Sequence, residues 1–256
     1  MSSTTVPVRW RHAVAFEWTK LASVRSTWWC LSLALVVAVG LSALFGVSAK
    51  ASGDNGYEST MPAPLVALSS LQAAQLLLLV FATLAMSVEF STGTIVSSLQ
   101  AVPLRGRFLL AKAAVVAAVS AVLGVVLVAG GTLAAAPTAQ EYGQFTGGDL
   151  AVALGTAALY FAALSLVILG LATILRSAAG TIAIAFVLLY GLPQILPLVD
   201  VAWVQVIPDY LPSTAAAVLS SGGGVPYSEG VAAVVLCAWA AGSIVAAWLV
   251  LRRRDA

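Results

Sequence analysis

Few side chains in this chain of 256 residues could take part in chemistry. It has one histidine, His12, and two cysteines, Cys30 and Cys237, with no cluster of His, Cys and acidic residues at metal-site spacing. No serine or cysteine is grouped with the histidine as nucleophilic catalysis requires. No glycine is followed by lysine, so the phosphate loop of P-loop ATPases is missing. The sequence therefore predicts a protein that is not an enzyme and that binds no metal or cofactor itself.

The composition points to a membrane protein. Hydrophobic residues make up 61% of the chain and charged residues 9%, and the mean hydropathy is +1.03, whereas a soluble domain has about 25% charged residues. A spanning helix needs roughly 20 apolar residues and satisfies its own backbone hydrogen bonds. We therefore predict an all-α, polytopic membrane protein with six transmembrane helices. The six apolar runs are Thr27 to Val47, Leu65 to Val88, Leu109 to Ala135, Leu150 to Leu175, Ala178 to Val199 and Gly230 to Leu251.

Basic residues lie almost entirely on one side of this arrangement. Of the 12 Lys and Arg residues, only Lys50 falls in a connection of the opposite set. By the positive-inside rule, both termini are predicted to be cytoplasmic, which an even number of spans allows. The predicted organisation is a cytoplasmic segment 1–26, a transmembrane domain 27–251 and a basic tail 252–256. Because topology accounts for the basic flanks, we predict no nucleic-acid binding.

Residues Trp10 to Arg25 predict an amphipathic helix in the inner interface of the bilayer. Trp10 and Trp18 fall on one apolar arc, next to basic residues, as suits an interfacial helix. Glu17, Lys20 and Arg25 lie on or near that arc and interrupt it. The alternative is a basic flank that only fixes topology.

The segment from Glu89 to Lys112 is a polar cytoplasmic stretch of about 24 residues. We expect Ser91 or Thr92 to cap a short helix that runs to about Gln100 and stops at Pro103. Basic residues then meet the anionic headgroups as the third span begins. A cytoplasmic partner could dock on this loop and on the N-terminal helix.

A family resemblance enters here. The string Glu89 to Ile95, followed by Pro103, a basic pair and Lys112, resembles the first cytoplasmic loop of type-2 ABC exporter permeases. The segments 17–21 and 23–29, and the string 210–213 (YLPS), are similar to actinobacterial members of that family. These features are spread over the whole chain. One departure is the spacing of the basic residues after Pro103, which varies between branches of the family.

The resemblance implies a permease of a bacterial plasma membrane that pairs with a second copy or a paralogue, as a homodimer or heterodimer. It also implies a separate ABC ATPase subunit, which uses the ATP and binds a coupling helix in this loop and the N-terminal helix. The candidate coupling residues are Glu89, Phe90, Ser91, Thr92, Gly93, Thr94, Ile95, Arg105 and Arg107. The candidate residues of the N-terminal helix are Trp10, Glu17, Trp18, Lys20 and Arg25. The alternative is an ordinary solvated loop with a capped turn.

Two further features could belong to a transport pathway. Gln72, Gln75 and Gln194 lie within predicted spans, where they either line a pathway or form hydrogen bonds between helices. In the last outer loop, 201–207 and 213–219 are too short to span but apolar enough to dip into the membrane. The alternative for this loop is a long surface connection.

We therefore predict the membrane-spanning permease of an ATP-driven exporter with a hydrophobic or amphipathic substrate. Ionisable residues are missing from the middle of all six predicted spans, which disfavours an ion-coupled relay. The alternatives are a secondary transporter or channel, and a membrane anchor or sensor that transports nothing.

Overall fold

The computed structural model describes residues 10–57, 61–101, 104–221 and 224–253, together with their side chains except those of Leu99 and Ala101. Within these ranges the chain is helical and contains no strand. The helices of the first part are α1 (Trp10–Ser23), α2 (Arg25–Asp54), α3 (Ala63–Ser91), α4 (Thr94–Ala101), α5 (Arg105–Ala139) and α6 (Gly147–Leu175). Those of the second part are α7 (Ala178–Phe186), α8 (Leu192–Ile195), α9 (Ala202–Val206), α10 (Pro212–Ser220) and α11 (Glu229–Arg253).

The prediction of six spans is confirmed by helix length and composition. In the described part of the chain, six helical stretches are long and apolar enough to cross a membrane: Arg25–Asp54, Ala63–Ser91, Arg105–Gly143, Gly147–Leu175, Ala178–Leu198 and Glu229–Arg253. Most extend beyond the predicted apolar runs, because a helix continues through polar residues at its ends wherever its backbone hydrogen bonds are satisfied. The chain is a multi-pass membrane protein.

The centre of the bundle consists of α3, α5 and α6, whereas α2 and α11 lie against its outside. Glycine lets these helices approach closely. A Cβ atom added at Gly124 of α5 would lie 2.5 Å from the carbonyl oxygen of Ala157 in α6. One added at Gly170 of α6 would lie 2.8 Å from the backbone of Ser243 in α11. Such small residues are typical of helix contacts in lipid, where van der Waals packing drives association.

The fifth span is not a regular α-helix. Ser177 caps α7 by accepting a hydrogen bond from the Gly180 backbone N–H. After Phe186 the chain forms a π-helical turn, Val187–Gly191, then the short α8 and a 3-10 turn, Leu196–Leu198. Pro193 and Pro197 lie in this second half and lack the N–H that a regular helix requires.

Short helices occupy much of the connection between the fifth and sixth spans, as predicted. Helix α9, a 3-10 turn at Ile207–Tyr210 and α10 follow one another. The Trp239 indole of α11 donates to the Tyr210 carbonyl oxygen at 2.7 Å, and the Tyr227 hydroxyl donates to that of Asp209 at 2.6 Å. Leu211 and much of α10 are buried. The part from Leu211 to Ser220 is therefore packed on the bundle, whereas most side chains of 201–207 are exposed, and the dip of this segment into the membrane stays a prediction.

Many of the basic side chains gather at one end of the bundle, which we call the basic end. There the Arg105 guanidinium donates to the Leu251 carbonyl oxygen at 2.7 Å, which joins the start of α5 to the end of α11. Arg176 lies over the Phe90 ring at 5.0 Å, and Arg252 lies over the Trp248 ring at 4.7 Å. Helices α1 and α4 lie at this same end.

Candidate functional site

The most unusual feature of the basic end is a buried cluster of charged side chains. Lys112 of α5 is at its centre, with its Nζ 2.5 Å from Glu17 Oε2 of α1 and 2.5 Å from Glu89 Oε1 of α3. The same ammonium donates to the Ala85 carbonyl oxygen at 3.2 Å. One lysine thereby joins the N-terminal helix to two membrane-spanning helices.

A second lysine extends the cluster to α4. The Nζ of Lys20 is 2.5 Å from Glu89 Oε1, donates to the Ser98 hydroxyl at 3.0 Å, and lies 3.8 Å from Glu17 Oε1. Ser98 in turn donates to the Thr94 carbonyl oxygen one helical turn earlier in α4. We call Glu17, Lys20, Glu89, Lys112 and Ser98 the Glu–Lys cluster. It connects α1, α3, α4 and α5 through side chains alone.

Burial makes this cluster energetically important. Glu17, Glu89 and Lys112 are 3%, 4% and 4% exposed. Because each charge has been taken out of water, removing one partner leaves an uncompensated buried charge, at a cost of about 3–5 kcal/mol. Replacing the whole set by apolar residues of similar size would cost far less. The cluster is therefore a device that fixes how these four helices sit together, and a weak source of net stability.

Glu17 belongs to the packed face of α1. We expected it to interrupt the apolar arc of α1, but it is one of the two buried residues of α1, with Ala13, and lies at the centre of its packed face. Lys20 is half-buried, whereas Trp10 and Trp18 are exposed. The i, i+3 spacing of Glu17 and Lys20 is the signal in the sequence for a charged stripe. What the sequence could not supply is the partner pair, Glu89 and Lys112.

The predicted extent of the N-terminal helix is also corrected. Helix α1 ends at Ser23, and Val24 has an extended backbone with φ −87° and ψ 119°. Arg25, which we had placed in the N-terminal helix, instead begins α2 and is exposed. The Trp28 indole donates to the Ala22 carbonyl oxygen at 2.9 Å, which fixes the corner between the two helices.

The loop after the second span is shorter than predicted, because α3 continues to Ser91 and includes Glu89 and Phe90. Ser91 and Thr92 do not cap the next helix. Their hydroxyls donate to the Val88 carbonyl oxygen, at 3.1 and 2.7 Å, and so satisfy the end of α3. This outcome reflects the competition between side-chain and backbone hydrogen bonds at helix ends.

Gly93 makes the turn into α4. Its φ is +71°, and a Cβ atom added there would meet no atom within 4 Å. Glycine is therefore favoured by backbone conformation and not by lack of space. The predicted short helix is confirmed as α4, Thr94–Ala101. Pro103, predicted to stop it, lies outside the described residues.

Helix α4 has one buried and one exposed face. Ile95 and Ser98 are buried, and Ile95 belongs to the core of the bundle. Thr94, Val96 and Ser97 are exposed. Arg107, at the start of α5, is also exposed, whereas Arg105 is half-buried. Helix α4 is thus anchored on the bundle through Ile95 and Ser98, with its other face exposed.

The glutamines of the predicted spans have different environments. Gln75 is buried and its amide donates to the Tyr190 hydroxyl at 2.6 Å, while its carbonyl oxygen accepts from the Tyr160 hydroxyl. Tyr190 donates in turn to the Gln72 backbone carbonyl oxygen at 2.6 Å. Gln75 therefore forms the hydrogen bonds between helices that were one of its two predicted roles. The side chains of Gln72 and Gln194 are exposed.

Comparison with known families assigns the chain. The model of the ABC-2 family of transporter proteins matches residues 13–192, which include all of the Glu–Lys cluster and α4. Comparison with curated protein sequences finds no significant match. The chain therefore belongs to the ABC-2 family, whose members are non-enzymatic membrane permeases of ABC transporters that associate with an ABC ATPase subunit.

Proposed function

We propose that this permease couples a separate ATPase to export, with the basic end in the cytoplasm. The positive-inside rule supports this orientation, because Lys20, Arg105 and Arg176 all lie at the basic end. With this end in the cytoplasm, both termini of the chain are cytoplasmic as well. The exported substrate is hydrophobic or amphipathic. This class agrees with the uncharged middle of the spans.

The observation that carries the proposal is the way the Glu–Lys cluster ties α4 to the spans. The ATPase docks on the exposed face of α4, whose accessible surface includes Val96, 47% exposed, and Ser97. A displacement of α4 reaches Lys20 through Ser98 and then Glu89 and Lys112, which belong to α3 and α5. Because Glu17, Glu89 and Lys112 are buried and paired, α1, α3 and α5 move together, since separating these charges would cost several kcal/mol. Helix α4 joins them through the hydrogen bond between Ser98 and the partly exposed Lys20.

Transport also requires a partner permease, either a second copy or a paralogue. Helices α2 and α11 and the fifth span are less buried within one chain than α3 and α6, so their apolar faces are covered by lipid or by that partner. Gln72 and Gln194, exposed in the single chain, become candidates for the pathway once two permeases enclose it. The N-terminal helix contributes a second contact for the ATPase through Trp10 and Trp18.

The proposal is tested with Val96→Asp, which places a charge on the face of α4 where the ATPase would dock. The permease is co-expressed with a candidate ABC ATPase subunit from the same genome and reconstituted in nanodiscs. Because a charge buried without a partner at an interface weakens association, we expect ATPase copurification and permease-stimulated ATP hydrolysis to fall by at least about tenfold, which is about 1.4 kcal/mol.

Val225→Asp is the matched control, because Val225 is 95% exposed and lies in the connection before α11, away from the basic end. It should leave both quantities unchanged. Full copurification and full stimulation of a monodisperse Val96→Asp variant would contradict the docking site. Transport that persists without ATP but requires an ion gradient would favour a secondary transporter instead.

A further inference from the structure

A cleft lies directly beside the Glu–Lys cluster, between α1, α2, α3 and α5. Its volume is about 130 Å³. Its charged side is formed by Glu17, Lys20, Glu89 and Lys112, and its hydroxyl groups come from Ser26, Thr27 and Thr94. The remaining wall is apolar and includes Leu21, Cys30, Phe81, Leu84, Val115 and Val116. One side of the cleft is thus polar and the other is apolar, which suits an amphiphilic ligand.

We propose that this cleft binds a neutral amphiphile whose head carries hydroxyl groups, such as a monoacylglycerol. This site is separate from the transport pathway and does not depend on the ATPase. The ligand reaches it from the bilayer, because α2, α3 and α5 are membrane-spanning helices.

The charge balance of the cluster selects a neutral head. Two glutamates and two lysines pair with one another, so their formal charges cancel. A cationic or anionic head would leave a net charge among groups that are already desolvated, and an unpaired charge is costly in such surroundings. A head without charge adds no such cost.

The hydrogen-bonding state of the glutamates selects a donor. Glu17 Oε1 and Glu89 Oε2 are buried and have no hydrogen-bond partner among the described residues. Each carboxylate uses its other oxygen for Lys112. A buried acceptor without a donor costs about 1–3 kcal/mol, and a hydroxyl group delivered by a ligand recovers that free energy once a carboxylate turns its free oxygen toward the cleft. A methyl ester of the same chain length carries no donor and recovers none.

The two native cysteines allow a direct test in the wild-type protein. Cys30 lines the cleft, whereas Cys237 lies exposed on α11 and serves as an internal control. The permease in nanodiscs is alkylated with N-ethylmaleimide, and the rates at both cysteines are followed by mass spectrometry of their peptides. The probes are monooctanoylglycerol, methyl octanoate, octanoate and octylamine.

We expect monooctanoylglycerol to slow alkylation of Cys30 by about tenfold at a concentration ten times its dissociation constant, because about nine-tenths of the cleft is then occupied. Cys237 should react at an unchanged rate, and the other three probes should protect Cys30 far less. The Leu84→Trp variant fills the cleft, so the alkylation rate of Cys30 in this variant should be the same with and without monooctanoylglycerol.

Three results would overturn the proposal. Equal protection by all four probes would mean that the cleft is only apolar, and stronger protection by octylamine would mean a cation site. Absence of protection by any probe would mean that the free carboxylate oxygens are satisfied by water alone. If Leu84→Trp fails to fold, the four probes on the wild-type protein still decide. None of these results bears on docking of the ATPase at Val96.

Discussion

At the scale of single residues, Lys112 is the central residue of the Glu–Lys cluster. Its ammonium is 4% exposed and contacts carboxylates from two different helices and a backbone carbonyl of one of them. A lysine this deeply buried is tolerated only because each donor has an acceptor. Glu17 depends on it more than Glu89 does, because Lys20 Nζ is 3.8 Å from Glu17 Oε1 but 2.5 Å from Glu89 Oε1.

Lys112→Met is expected to destabilise the protein by about 3–5 kcal/mol, since it leaves Glu17 and Glu89 buried next to each other with one partly exposed lysine between them. The measurement is thermal unfolding of the purified permease in nanodiscs. Lys50→Met, at the far end of α2, is the control and should shift the midpoint little. A triple variant, Glu17→Gln with Glu89→Gln and Lys112→Met, should recover much of the loss because the one charge of the cluster that remains, on Lys20, is partly exposed. Equal destabilisation by both single lysine variants would contradict this account.

Three of the five members of this cluster were predicted as candidate site residues, but their contact with one another was not predicted. Glu17, Lys20 and Glu89 were candidates, and Lys112 stood at the end of the characteristic loop. Lys112 and Glu17 are 95 residues apart in the sequence. No local sequence pattern predicts a contact between residues at that separation. The basic residues at the start of the third span were predicted to contact lipid headgroups. Lys112 is instead buried beneath α1 and paired with Glu17.

At the scale of helices, the long regular spans could be predicted from the sequence, whereas the irregular turns of the fifth span could not. Hydrophobic runs of about 20 residues predict spans because the bilayer has a fixed thickness. The π-helical turn at Val187–Gly191 has no comparable signal, because Pro193 and Pro197 predict only that the helix is disturbed somewhere nearby. Such turns often occur where a helix has a functional bend. The hydrogen bonds of Tyr190 with the Gln75 side chain and the Gln72 carbonyl oxygen join this turn to α3.

Tyr190→Phe tests that explanation. It removes the hydroxyl that accepts from Gln75 and donates to the Gln72 carbonyl oxygen, so we expect a loss of about 0.6–2 kcal/mol, the range for hydrogen bonds between helices in membranes. The measurement is a double-mutant cycle with Gln75→Leu on unfolding free energy. Tyr57→Phe, at an exposed position, is the control. Strict additivity of the Tyr190 and Gln75 variants would show that the two side chains do not stabilise each other.

At the scale of the whole molecule, six spans were predictable and their arrangement was not. Apolar runs give the number of crossings and the positive-inside rule predicts the orientation, but helix order around the bundle depends on where backbones can touch. Alanine is so common in the spans that small-residue spacing alone selects no face. The structure shows close contacts of this kind at Gly124 against Ala157, at Gly170 against Ser243, and at Gly131 against Ser42 and Ala67.

Gly170→Leu is therefore expected to separate α11 from α6 and so detach the last span from the centre of the bundle. The added side chain would begin 2.8 Å from the Ser243 backbone, which cannot move without moving α11, and overpacking of this kind costs about 1–3 kcal/mol. Gly155→Leu, on the same helix, is the matched control because a Cβ atom there meets nothing within 4 Å. Thermal unfolding and size-exclusion profiles in nanodiscs should show a less stable, partly aggregated Gly170 variant beside a normal Gly155 variant. If the Gly155 variant were the more damaged, α6 would have to face a partner permease at Gly155 more tightly than it faces α11, because only a second chain could turn that open position into a close contact.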